Sequence, residues 1–187
     1  MKQDADNARA PERRDRIVAA ALECIVAHGV AGTSMRQVAD AADVALGSIS
    51  YYFGDKEALL SAAFIDYTEN SVREFRAYYD GVDSLEAARA ATTRMLTESA
   101  DSRHDIILGS ELYSLSLRRP RHRMVLDSWT KRCRDVIAEH FDADTTFVID
   151  ALYEGILLHR SMRLGEYSDG RIALAVERLT PPETYLG

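Results

Sequence analysis

Apolar side chains recur at intervals of three and four along almost the whole chain, and few stretches alternate between apolar and polar, so the pattern predicts an all-α fold. Pro11 suits a first helical turn, where its missing amide donor would be unpaired in any case. From there Ile17, Ala20, Ala21, Cys24 and Ile25 form one buried stripe. Gly29 predicts the helix end after His28, because a chain leaving a helix commonly passes through positive φ. Ser34 and Gln37 have capping-box spacing and open a short second helix to about Ala41, with a third expected from near Ala45. Beyond Asp55 the steps Leu60, Phe64, Tyr67, Ser71, Phe75 and Tyr78 predict one long helix to about Tyr79. Asp83 with Glu86, and Ser102 with Asp105, open helices over 83–100 and 102–117. Two more are expected over 121–141 and 145–164, joined by an acidic turn at 142–144. A short helix over 167–179 precedes Pro181 and Pro182, which end regular structure.

These lengths divide the chain. Residues 1–10 read as a flexible, solvated tail, 11–55 as a three-helix domain with tight turns, and 56–187 as a bundle of long helices for ligand binding and dimerisation, about nine helices in all. The helix over 145–164 is apolar around most of its circumference and must be covered on more than one side. A homodimer covers it: Phe147, Ala151, Gly155, Leu158 and Met162, with Val125 from the preceding helix, are the expected interface, and Gly155 allows close approach.

Composition narrows the function. The 187 residues are 47% hydrophobic and 28% charged, which excludes a disordered chain, and the net charge of −7 gives no general attraction for phosphate or anionic lipid. Any nucleic-acid role must be local. The polar start is no signal sequence, and Asp150, Glu154 and His159 interrupt the greasiest stretch, so a cytoplasmic protein without a membrane partner is expected. Cys24 and Cys133 lie far apart in apolar patterns and read as reduced thiols. None of the five histidines joins a Glu-x-x-His pairing, Asp101 with His104 being the nearest approach to a metal or general-base pair. No glycine-rich phosphate loop or serine elbow occurs. No enzymatic activity, metal or cofactor is therefore expected.

Residues 33–60 carry the chemistry. Two short helices flanking a turn at 42–44 make a helix-turn-helix in which Val38, Ala39, Val44, Ile49 and Phe53 face a common core. The second helix then presents Leu46, Gly47, Ser48 and Ser50 outward, followed by Tyr51, Tyr52 and Lys56. Nothing large or acidic precedes the tyrosines, so this helix can enter a major groove. Its flanking hydroxyls and lysine suit phosphate contacts, which fix register without reading sequence. One of the two tyrosines is expected to pack instead, since neighbours on a helix point about 100° apart. Over residues 1–56 seven basic side chains stand against eight acids, so Arg13, Arg14, Arg36 and Lys56 must gather on one side for such a surface to work.

This stretch resembles the DNA-binding domain of TetR-type transcriptional repressors. The family's rhythm appears as Thr33, Arg36 and Ala39, and its aromatic signature as Tyr52, Phe53, Lys56 and Leu59. The resemblance implies that Leu46, Gly47, Ser48 and Ser50 face bases, and that Tyr51, Tyr52 and Lys56 meet phosphates. Arg36 stands at the mouth of the second helix, with Thr33 and Ser34 before it. The chain departs from the family at three positions: the turn glycine is Asp43, the serine cap of the recognition helix is Ala45, and a common tyrosine is Ser50.

In the larger part Phe64, Tyr67, Met95, Tyr113, Trp129, Cys133 and His159 are candidates either for plain core or for a ligand cavity. The resemblance implies an apolar pocket whose walls, in moving, change the separation of the DNA readers. Arg118, Arg119, Arg121, His122 and Arg123 read first as a solvated loop and helix start, with an anion site as the other possibility. The expectation is a homodimeric repressor that binds a palindromic duplex operator and is released by a small apolar or amphipathic effector. The alternative is a helical ligand-binding or interaction protein without operator recognition.

Overall fold

Nine α-helices and two single-turn 3-10 segments make up the regular structure of the described residues, 10–165 and 167–187, in this computed structural model. The helices are α1 (Ala10–Gly32), α2 (Met35–Ala41), α3 (Leu46–Phe53), α4 (Lys56–Ala77), α5 (Leu85–Glu98), α6 (Arg103–Ser116), α7 (Pro120–Ile137), α8 (Ala143–Ser161) and α9 (Asp169–Leu179). One isolated antiparallel bridge joins Phe141 to Tyr185. The expected tail lies outside the described residues except for Ala10, which is already helical.

Local chemistry sets most helix ends. Gly29 breaks α1 at φ 67°, ψ 168°, a conformation open to glycine, and one further turn carries the chain to Gly32. The Ser34 hydroxyl accepts from the Gln37 amide while the Gln37 side chain accepts from the Ser34 amide, so the capping box at α2 forms as its spacing predicts. Two boundaries differ from expectation. Ser84, not Asp83, caps α5, its hydroxyl accepting from the Ala87 amide at 3.2 Å. The acidic turn at 142–144 is a helix start: Asp142 accepts from the Thr145 amide at 2.8 Å and α8 begins at Ala143. Adjacent good cap residues leave such a boundary ambiguous by a residue or two.

Two compact units divide the described chain, one holding the residues to Thr68 with Ile107–Val125, the other Glu69–Ile106 with Leu126–Gly187. The first unit therefore reaches past the boundary expected at residue 56, along α4, and takes in the end of α6 and the start of α7. Its core gathers Ile17, Ala21, Ile25, Val38, Ile49, Leu59, Phe64, Leu108 and Leu112. In the second unit Met95, Leu96, Ile137, Phe141, Ile149, Ile172 and Val176 are buried. Tyr79 stacks on His140 at 5.2 Å and bonds the Thr92 hydroxyl at 2.9 Å, and Arg89 donates to Thr180 at 3.0 Å.

Candidate nucleic-acid interface

The turn between α2 and α3 closes on Asp43, which adopts φ 52°, a value that aspartate tolerates better than most residues. The Val44 amide donates to the Ala39 carbonyl at 3.0 Å and fixes the angle at which α3 leaves. Ala45, at φ −65° and ψ 141°, occupies the N-cap of α3 and offers no side-chain acceptor to the first turn. Ile49 is fully buried, Val44 and Phe53 half-buried, and Arg14 lays its guanidinium 5.4 Å from the centre of the Phe53 ring.

The opposite face of α3 is open. Leu46, Gly47 and Ser50 are exposed and Ser48 half-exposed, and a Cβ built on Gly47 would meet nothing within 4 Å. Tyr51 is 83% exposed, whereas Tyr52 is half-buried, with its ring edge-on to Tyr51 at 5.2 Å, so one of the pair projects and the other packs. Ser34 and Arg36 are exposed at the start of α2. Thr33 is not on this surface: it is 2% exposed, and its hydroxyl donates to the Gly29 carbonyl at 2.8 Å. The same carbonyl also accepts the Thr33 amide at 3.1 Å, so this threonine finds its partner at the end of its own helix rather than in a ligand.

Lys56 also turns inward. Its ammonium donates to the Val30 carbonyl at 2.9 Å, while the Val30 amide donates to Glu111 of α6 at 3.2 Å. Val30 is thus held through both of its backbone polar groups, by α4, which follows α3, and by α6. A partner 81 positions away leaves no mark in the local sequence pattern.

The residues considered for a ligand cavity are divided between the units. Phe64, Tyr67 and Tyr113 belong to the first, and Met95, Trp129, Cys133 and His159 to the second. Phe64, Tyr67, Met95, Trp129 and Cys133 are buried, Tyr113 and His159 half-buried. Trp129 donates to the Ser71 hydroxyl at 3.2 Å. Burial, reinforced by Asp150 and Glu154, pushes the Cys133 thiol up to about 12 and leaves it unreactive. A cavity of about 380 Å³ opens in the second unit between α8 and α9, walled by Leu152, Ile156, Ile172 and Ala175 with Tyr167 and Arg171. The His159 ring nitrogen lies 2.6 Å from the Tyr167 hydroxyl, so His159 reaches this cavity through Tyr167. Along α8, Phe147 is 63% and Met162 57% exposed; Ala151 and Leu158 are exposed too, and Gly155 is half-buried, as is Val125 of α7.

Among the described residues no group of three or more His, Cys, Asp or Glu side chains is placed to hold a metal, and no helix is long and apolar enough to cross a membrane.

Comparison with known proteins agrees with this arrangement. The family described as "Bacterial regulatory proteins, tetR family" matches over residues 17–63. A structure of a TetR-family member from Streptomyces coelicolor, SCO1917, is 30% identical and superposes with a TM-score of 0.78 over 91% of this chain and 99% of its own. The multidrug binding protein EbrR, complexed with imidazole, is 32% identical, with a TM-score of 0.76 and 91% of each chain covered. An HTH-type transcriptional regulator in the dhlA 5′ region of Xanthobacter autotrophicus, itself uncharacterized, is 28% identical over 142 residues, 74% of this chain and 67% of that one.

Proposed function

We propose that this chain, which belongs to the TetR family of bacterial regulatory proteins, represses transcription as a ligand-released homodimer on a palindromic operator. The observation that carries the reading is the open face of α3. Gly47 and Ser48 leave room for the helix to approach base edges, with Leu46 and Ser50 beside them. Ser34, Arg36 and Tyr51 flank that face and fix register on phosphates, with Tyr52 packed beside Tyr51. Lys56 serves at the edge of the head, anchored to Val30. Thr33 supports the end of α1 and makes no DNA contact.

The exposed apolar stripe Phe147, Ala151, Leu158 and Met162, with Gly155 open to close approach, supports pairing of two copies. Two-fold pairing sets the readers about one DNA turn, roughly 34 Å, apart or somewhat more. EbrR, a multidrug binding protein, supports an effector of small apolar or amphipathic character. Trp129 and His159 of the second unit are the residues we assign to sensing it, with the Tyr167 hydroxyl offering a polar end. The effector acts by population shift: a tenfold preference for the DNA-incompetent spacing corresponds to about 1.4 kcal/mol of coupling. Duplex DNA places the working protein in the cytoplasm.

Sedimentation of the purified protein with and without operator DNA, at two salt concentrations, tests this reading. A dimer that binds duplex in a salt-sensitive manner supports it. A monomer, or a dimer indifferent to DNA, leaves the ligand-binding or interaction protein as the better account.

A further inference from the structure

The reading head is short of positive charge. Over residues 10–68 the first unit carries five basic side chains, Arg13, Arg14, Arg16, Arg36 and Lys56, against eight acids, Glu12, Asp15, Glu23, Asp40, Asp43, Asp55, Glu57 and Asp66. Within the unit, Lys56 is engaged on the Val30 carbonyl and Arg14 over Phe53. The segment that completes the unit, Ile107–Val125, adds four arginines, Arg118, Arg119, Arg121 and Arg123, against the single acid Glu111. The unit as a whole is thereby brought to neutrality, with its added positive charge in one six-residue stretch.

That stretch is fixed. The amides of Arg118 and Arg119 both donate to the Leu115 carbonyl at 3.0 Å, and those of His122 and Arg123 to the Arg119 carbonyl at 3.1 Å. His122 plugs the turn into the core: it is 1% exposed, lies edge-on to Phe64 at 6.0 Å and meets the Ser61 hydroxyl at 3.4 Å. Arg119 reaches Glu57 at 3.7 Å, so the turn abuts the first turn of α4, four residues after the last residue of α3. Arg118 and Arg121 stand exposed on this anchored turn. Cations held on a rigid backbone beside a groove-reading helix lose little freedom on meeting a polyanion, and each phosphate neutralised releases condensed counterions.

We propose that the arginine turn at 118–123 is a second DNA-binding surface, an electrostatic cradle for the duplex backbone next to the reading head, with Arg118 and Arg121 as its phosphate ligands and Arg119 as its anchor on Glu57. The inference rests on the DNA-binding reading and extends it to a surface outside the helix-turn-helix. It accounts for duplex binding by a chain of net charge −7.

The test is binding of a random-sequence duplex and of the operator-region duplex across a salt series, for the wild-type chain and for Arg118→Gln combined with Arg121→Gln. We expect the double variant to bind both duplexes more weakly, with a log–log salt slope shallower by about 0.9 for each phosphate that is no longer neutralised. Arg118→Lys with Arg121→Lys should keep the wild-type slope. A charge-matched control in the other unit, Arg132→Gln with Arg178→Gln, should keep it too. Equal slopes for the wild type and the Gln variant, or an equal change in the control, overturn the cradle while leaving the α3 reading intact. A wild-type chain that binds neither duplex overturns both.

Discussion

Lys56 and Val30 stand 26 positions apart, yet the Lys56 ammonium donates to the Val30 carbonyl at 2.9 Å and closes the last turn of α1 against the start of α4. The lysine thus has a structural duty in addition to any phosphate it meets. Lys56→Ala should lower stability by about 1 kcal/mol, the scale of a partly exposed charge-assisted hydrogen bond, and weaken binding to all duplexes alike. Thermal melting and titration with specific and random DNA check the two effects. An unchanged melting temperature would mean that the bond to Val30 contributes nothing.

Gly29 and Glu111 form the other half of that joint. A Cβ on Gly29 would lie 2.8 Å from the Glu111 carboxylate, and its φ of 67° is strained for any L side chain. Gly29→Ala is therefore expected to destabilise by about 1–3 kcal/mol. Glu111→Gln, which keeps an acceptor for the Val30 amide, should cost less than Glu111→Ala. Chemical denaturation of the three variants decides the order.

At Gly47 the expectation reverses. The position is helical and nothing lies within 4 Å of its Cβ direction, so Gly47→Ala should leave stability unchanged or raise it by up to about 1 kcal/mol. Its operator preference should change, because the added methyl faces bases. A competition assay on permuted half-sites reads this out, and unchanged preference would remove α3 from the base-reading role.

Two imidazoles, the buried His122 and the half-buried His140, set a pH dependence. Burial lowers the pKa of His122, with Arg121 and Arg119 adding to the shift and Glu57 opposing it. Burial likewise lowers that of His140, with Arg76 adding and Glu139 opposing. The unfolded rings take up protons near pH 6.5 while the folded ones resist, so this stability is complete above about 6.5 and is lost as pH falls toward the folded values. Melting temperature should fall between about pH 7 and pH 5.5. His122→Phe, combined with His140→Phe, should flatten that part of the curve. An equally steep decline in the double variant would assign it to carboxylates.

What is legible in the sequence is what is local. The Ser34–Gln37 box, the helical period and the outward face of α3 each depend on residues within one or two turns, and each is found where the spacing puts it. Asp83 and Ser84 are both good caps one residue apart, so spacing alone does not choose between them, and the hydroxyl takes the role. Thr33 carries the family rhythm and the right hydroxyl, but the carbonyl of Gly29, which also accepts the Thr33 amide, claims it. Glu111 on Val30 and His122 beneath the arginine turn are long-range contacts that periodicity cannot encode. For the same reason Phe64, Met95 and Trp129 read first as core and only second as cavity wall, since both need apolar residues at helical spacing.

The most direct test is an unbiased selection of duplex fragments by the purified protein, followed by the same selection with Gly47→Ala. The wild type should enrich a palindrome whose half-site centres lie about one helical turn apart or somewhat more, and the variant a palindrome of the same spacing with altered half-sites. Enrichment of no motif, or of the same motif by both proteins, would contradict recognition through α3.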